Sequence, residues 1–178
     1  VVELGPLIRE LELTRLNYVD PKNKKKNKKL VEQAGLGAAH GCTNVMSGLL
    51  NSIPKLSKEI FPRQSKQPEV ILTLPNYTVY LAQISNMSGL VKPRFIRAKR
   101  ETNFLPTFEQ IKKIVNKKTA AIVVTYPNNP AQSTYEGDAT KELKKIVKFC
   151  QKEGIFLIVD NIYQDELFPQ GRKHTEVF

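Results

Sequence analysis

An α/β fold is predicted, with helices covering both faces of a mostly parallel sheet in three α-β-α layers. Three features of the sequence predict it. From residue 69 onward, strand-like and helix-like segments alternate, as successive β-α units require. Three of the strand candidates are nearly continuous apolar runs, the pattern of strands buried on both faces. Glycines fall where the helical periodicity stops, at Gly89 and Gly154.

The elements follow in chain order. Leu4, Leu7, Ile8 and Leu11 recur at helical spacing, so residues ~4–17 read as an amphipathic helix. Asn17 to Lys29 breaks that pattern with Pro21 and many lysines, and reads as a solvated lysine-rich loop. Leu36 to His40 reads as a short strand of small residues. Gly41 then turns the chain, and Thr43 is placed to cap a helix running into the 50s. Pro62 to Pro68 is a polar connector. Glu69–Leu74 (EVILTL) is a strand, 76–86 a helix ended by Gly89, and Pro93–Ala98 a strand. Thr107 caps a helix to Asn116, and Thr119–Tyr126 (TAAIVVTY) is a strand. Gly137–Glu153 is a helix with Leu143, Ile146, Val147 and Cys150 on one face, and Ile155–Asp160 (IFLIVD) is a strand. Two parts result: 1–35, an N-terminal helix and lysine-rich loop, and 36–178, the α/β domain.

Composition narrows the function classes. With 40% hydrophobic and 25% charged residues, a sizeable core is affordable and global disorder is excluded. No apolar run approaches the roughly 20 residues of a membrane span, and no signal-peptide pattern opens the chain. The first residues are Val1-Val2-Glu3, so the natural N-terminus is expected upstream. Cys42 and Cys150 are the only cysteines, far apart and without metal-ligand spacing. Two free thiols fit a cytoplasmic setting, and no metal site is expected. The formal net charge of +11 comes largely from Lys22–Lys29 and Lys92–Arg100. A nucleic-acid partner is one reading of that charge. The first run lacks interleaved aromatics, and the second contains Phe95 and Ile96 as a strand would, so the charge reads as solvated surface.

In open parallel sheets, ligands bind beyond the carboxyl ends of the strands. Four such ends carry candidate residues. His40-Gly41-Cys42-Thr43-Asn44 is a strand-to-helix turn, with a glycine for close backbone approach and helix amides that favour an anion. Pro75-Asn76-Tyr77-Thr78-Val79-Tyr80 puts a tyrosine past a strand end, where its ring would lie on a flat ligand or simply pack in the core. Tyr126-Pro127-Asn128-Asn129-Pro130 is a rigid turn that holds the Asn129 amide, with cis prolyl bonds available to it. Asp160-Asn161-Ile162-Tyr163 follows an apolar strand. A buried carboxylate there needs a partner, preferably cationic, unless Asp160 merely caps a helix.

In order and content, these four stretches resemble the class I/II aminotransferases of fold type I, which use pyridoxal 5′-phosphate (PLP). The resemblance runs from about Leu36 to Phe168, and Pro-Asn-Asn-Pro and Asp-Asn-Ile-Tyr are its most specific parts. It implies that Cys42 and Thr43 bind the cofactor phosphate and that Tyr77 stacks on its ring. Asn129 would bond the ring hydroxyl, Asp160 pair with the pyridine nitrogen, and Tyr163 partner the ring oxygen. It further implies transfer of an amino group between an amino acid and a 2-oxo acid, and a homodimer as the intact protein. Residues 36–178 would then be the PLP-binding large domain, incomplete at its C-terminal side. The family's lysine, which bonds the cofactor, is expected past Phe178. Lys173 alone lies after Asp160, in a Gly-Arg-Lys-His setting that reads as a solvated loop, so the catalytic residue is left unassigned. The given chain alone would be inactive.

The chain departs from the family pattern at three points. Asn129-Pro130-Ala131-Gln132 stands where the family usually has Asn-Pro-Thr-Gly, Cys42 stands where serine or alanine is usual, and the lysine-rich loop before the first strand has no counterpart in the pattern. Other readings stay open. A lyase, decarboxylase or synthase of the same fold would present the same stretches. A non-catalytic remnant predicts weak PLP affinity. A basic nucleic-acid-binding α/β domain predicts salt-sensitive binding and no cofactor.

Overall fold

The computed structural model describes residues 4–19, 21–35, 39–59 and 67–164. These divide into two compact units, 1–41 and 42–178.

The first unit contains α1 (Leu4–Val19) and α2 (Lys24–Gln33), with a 3-10 turn at Pro21–Asn23 before the second. The lysine-rich segment is therefore a helix and not a loop. Lysine is a good helix former, and the charge density that suggested a loop is spread over the exposed side of α2. The opposite side buries Val31 and Asn27. The Asn27 side-chain amide donates to the Leu16 carbonyl at 3.1 Å, and the Arg9 guanidinium donates to the Val31 carbonyl at 2.6 Å. A buried amide with its hydrogen bonds made is what fixes this short pair of helices.

The second unit is the α/β domain. Its elements are α3 (Gly41–Glu59), β1 (Glu69–Leu74), α4 (Val79–Ser85), β2 (Lys92–Arg97), α5 (Phe108–Ile114), β3 (Thr119–Thr125), α6 (Ala139–Glu153) and β4 (Phe156–Asp160). The four strands are all parallel, in the order β2-β1-β3-β4. Of the Leu36–His40 strand reading, 36–38 lie outside the described residues, while Ala39 and His40 are irregular backbone. Most of the Pro62–Pro68 connector also lies outside them. Helix α3 begins at Gly41, so Thr43 sits inside its first turn and is not its cap. Thr107 does cap α5: its side chain accepts from the Gln110 amide, and the Gln110 side chain accepts from the Thr107 amide. Gly154 ends α6 in the left-handed conformation at φ 62°.

Alternation along the strands produces the layers. Val70, Leu72, Ala121 and Val123 point to one face and pack with Met46, Leu50 and Ile53 of α3 and Tyr80 and Ile84 of α4. Ile71, Ile122 and Val124 point to the other face and pack with Ile111 of α5 and Leu143, Ile146 and Cys150 of α6. Each central strand thus feeds two cores, which is why β1 and β3 are apolar at nearly every position. The edge strand β2 is covered less and carries Lys92, Arg94 and Arg97, which discourages pairing along its open side.

From β1 the chain crosses to β2 on one side, whereas β3 and β4 lie on the other. The strand order reverses between β1 and β3, and a crevice opens there at the carboxyl ends.

Candidate functional site

A cleft of about 190 Å³ lies at this crevice, lined by Cys42, Thr43, Tyr77, Val79, Tyr80, Gln83, Thr125, Asn129, Asp160, Ile162 and Tyr163. All six residues singled out from the sequence (Cys42, Thr43, Tyr77, Asn129, Asp160 and Tyr163) border this one cleft. They come from the first turn of α3, from the end of β4, and from the segments that follow β1, β3 and β4, so the carboxyl edge of the sheet and the start of α3 together bring them to one place.

Asp160 is the last residue of β4 and is 6% exposed. Its backbone carbonyl accepts from the Tyr126 amide, which continues the β3–β4 pairing to the end of the sheet. Its Oδ2 accepts from the Tyr80 hydroxyl and, at 3.2 Å, from the Cys42 thiol. Its Oδ1 accepts from the Ile162 amide at 3.2 Å. No salt bridge reaches it among the described residues. Glu69, at the opposite end of the sheet, shows the contrast. Burial raises its pKa, but hydrogen bonds from Asn116 (2.8 Å) and Arg94 (3.1 Å) outweigh that and hold it below the usual carboxylate range. One buried carboxylate has its cation within the protein; the other, among the described residues, has only neutral donors and faces a cleft.

Tyr80 is almost fully buried on α4. Its single proton goes to Asp160, so Thr125 Oγ1, 3.1 Å away, is the donor to its oxygen. Burial, then the bond to Asp160, pushes the Tyr80 phenol well above its ordinary pKa. The Cys42 thiol is raised to about 11 by burial and by Asp160. Both groups are therefore protonated donors near neutral pH.

Tyr77 stands at the rim, 37% exposed, with its ring edge-on to Tyr80 at 5.7 Å between centroids. On the β3 side, the Asn129 side-chain amide donates to the Tyr163 hydroxyl at 3.0 Å. The preceding residue, Asn128, is buried and builds the loop. Its carbonyl accepts from the Gln132 amide at 2.6 Å, its amide donates to Ser133 at 2.8 Å, and its Oδ1 accepts from Ala131 at 3.1 Å. The prolyl bonds Leu74–Pro75, Tyr126–Pro127 and Asn129–Pro130 are cis. At the α3 side, the Thr43 carbonyl accepts from Gln83 at 2.8 Å, and the Thr43 side chain is exposed.

The sequence reading did not assign Tyr80, Thr125 or Gln83. For Tyr80 a signal was available. Tyr77 and Tyr80 are three residues apart, the spacing that places two side chains on one side of a helical turn. Lys173 lies outside the described residues. No cluster of His, Cys, Asp or Glu fit to hold a metal occurs among the described residues. No helix among them is long and apolar enough to cross a membrane.

Gln132 adopts φ 54°, the left-handed region, at the position where the resembled pattern carries glycine. An L side chain there costs of order 1 kcal/mol or more, part of which glycine returns as unfolded-chain entropy. Gln132→Gly is expected to stabilise the domain by about 0.5–1 kcal/mol, read as a higher denaturant midpoint at unchanged slope. A lower midpoint would show that the Gln132 side chain contributes more than its backbone costs.

The donor set fits an aromatic heterocycle with a cationic ring nitrogen. It comprises a buried carboxylate with no cation partner among the described residues, a hydroxyl–amide pair, an aromatic ring at the rim, and the N-terminal turn of a 19-residue helix, whose first amides have no intrahelical acceptor. The family described as Aminotransferase class I and II matches residues 57–176. An aspartate aminotransferase of Bacillus sp. (strain YM-2) is 28% identical over 143 residues, 80% of this chain and 31% of that protein. The glutamate-pyruvate aminotransferase AlaA of Haemophilus influenzae is 30% identical over 109 residues, 61% of this chain and 26% of that protein. This chain thus spans less than a third of the length of these curated relatives. The solved aromatic aminotransferase from Pyrococcus horikoshii superposes with a TM-score of 0.67 at 18% identity, covering 96% of this chain and 40% of that one, which shows a shared fold.

Proposed function

Because this chain belongs to the class I and II aminotransferases, we propose that its cleft holds PLP and that the intact protein transfers an amino group between an amino acid and a 2-oxo acid. The observation that carries this reading is Asp160: a buried carboxylate at the carboxyl end of the apolar strand β4, beside β3, that meets only neutral donors among the described residues and faces a cleft. Residues 36–178 are then the cofactor-binding large domain, and 1–35 a separate N-terminal part.

PLP supplies an electron sink that stabilises negative charge developing at the α-carbon of a bound amino acid. The roles of the chain's own residues follow from their positions. Asp160 offers its carboxylate to the ring nitrogen and would hold a proton there by charge pairing. Tyr163, oriented by Asn129, presents a hydroxyl for the ring oxygen. Tyr77, at the rim of the cleft, would stack its ring against the cofactor's and keep water from it. The first turn of α3, with Thr43, offers amides and a hydroxyl to the phosphate. A homodimer with family-typical substrates belongs to the same proposal.

The test is an assay of the full-length protein with PLP, a panel of amino acids and 2-oxoglutarate, following formation of glutamate. Turnover of at least one amino acid, abolished when PLP is removed and restored when it is added back, is the expected result. PLP bound with release of CO2 or ammonia, and no amino transfer, would move the protein to another reaction of the same fold.

A further inference from the structure

The geometry points to a two-donor clamp on one oxygen of Asp160, in which Tyr80 and Cys42 act as positioning residues and leave Oδ1 as the oxygen that receives the cofactor's ring nitrogen. The inference rests on the PLP reading above and assigns Cys42 away from the phosphate, to the opposite end of the cofactor.

A carboxylate offers about four acceptor positions, two on each oxygen. Among the described residues, Oδ2 accepts two bonds, from the Tyr80 hydroxyl and the Cys42 thiol at 3.2 Å. Oδ1 accepts one, from the Ile162 amide at 3.2 Å. One position is left, and it is on Oδ1. The donors hold the carboxyl plane from three different elements, α4, α3 and the turn after β4. Thr125 adds a further link by donating to Tyr80 at 3.1 Å, so the chain of donors runs back into β3. Rotation of the Asp160 carboxyl would break bonds to all three elements at once. Cys42 is only half-buried, yet its sulfur lies on Asp160. The thiol, raised to about 11, keeps its proton and so remains a donor.

Two affinities and one cofactor-free measurement test this in the full-length protein. Dissociation constants for PLP and for pyridoxal, which lacks the phosphate, are measured for wild type, Tyr80→Phe, Cys42→Ala and Cys42→Ser. A residue acting through Asp160 affects both compounds equally; one acting on the phosphate affects PLP alone. Tyr80→Phe is expected to weaken both about tenfold. Cys42→Ala should weaken both by a smaller, equal factor, and Cys42→Ser, which keeps a donor, should restore most of it. A loss by Cys42→Ala confined to PLP would return Cys42 to the phosphate and overturn the clamp. Equal affinities in all four proteins would overturn it as well.

The cofactor-free arm follows alkylation of Cys42 by iodoacetamide against pH, mapped by mass spectrometry. Removing the Asp160 acceptor in Asp160→Ala should lower the apparent thiol pKa and speed alkylation at pH 9 roughly threefold or more. An unchanged rate would show that the thiol and carboxylate are not in contact. Wild type that retained neither PLP nor pyridoxal would defeat the cofactor reading and the clamp's role in it. The alkylation rates would then still report on the contact itself, so the two failures are distinguishable.

Discussion

Asp160→Ala is expected to weaken PLP binding about 100-fold and to abolish amino transfer while leaving the domain folded. Removing one member of a desolvated, hydrogen-bonded charge pair costs about 2–5 kcal/mol. Here the cost falls on the cofactor, because its ring nitrogen would be left in a buried cleft with no counter-charge. The protein loses less. Tyr80 keeps Thr125 as a partner, and the β3–β4 ladder at residue 160 is made by backbone. Asp160→Asn separates charge from shape. It keeps the size and one carbonyl oxygen, so a comparable loss of affinity would identify charge as the missing element. The check is equilibrium titration by cofactor absorbance, alongside far-UV circular dichroism. Retention of PLP within threefold of wild type in both variants would remove Asp160 from the site.

The largest effect on stability is expected at Ile122. It is fully buried at the middle of β3, pairs in register with Ile71 and Leu157, and packs between the sheet and the layer of α5 and α6. Ile122→Ala removes three carbons from a position where neighbouring strands on both sides restrict collapse. A loss of about 3–4 kcal/mol follows from the usual range for such truncations. Ile122→Val should cost about 1 kcal/mol. Against the 5–15 kcal/mol typical of domains, the alanine variant would be markedly less stable. Denaturant unfolding of the full-length protein measures both. A loss under 1 kcal/mol for Ile122→Ala would contradict the two-core arrangement of the sheet.

Much of the architecture was legible because β1 and β3 are buried on both faces and β4 is at least partly buried on both. That constraint writes a continuous apolar run into the sequence, and the runs 69–74, 119–126 and 155–160 agree with the observed strands to within a residue. The helices α5 and α6 were legible through a capping threonine at Thr107 and a glycine stop at Gly154. The lysine-rich segment was misread because its helix is set by Asn27 and Val31, two buried side chains among solvated lysines. Charge density says nothing about such contacts. Thr43 was misread as a cap because a residue one or two positions inside a helix carries the same side-chain signal as a true cap.

The site was legible for a different reason. Residues at strand ends are few, and the parallel sheet gathers them at one edge. Their partners were not, because the bonds from Tyr80 and Cys42 to Asp160 join residues 80 and 118 positions apart. No spacing rule reaches across that distance. Gln132 shows the limit in the other direction. Its φ of 54° marks a backbone position suited to glycine, and the sequence alone displays only the substitution.

The central claim is that the β1–β3 crevice is the cofactor site and that Asp160 meets the ring nitrogen. A crystal structure of the full-length protein grown with PLP tests it most directly. The account predicts the ring in the cleft under Tyr77, its nitrogen within hydrogen-bonding distance of Asp160 Oδ1, and its hydroxyl near Tyr163 and Asn129. A ring bound elsewhere, or in the cleft with its nitrogen turned away from Asp160, would contradict it.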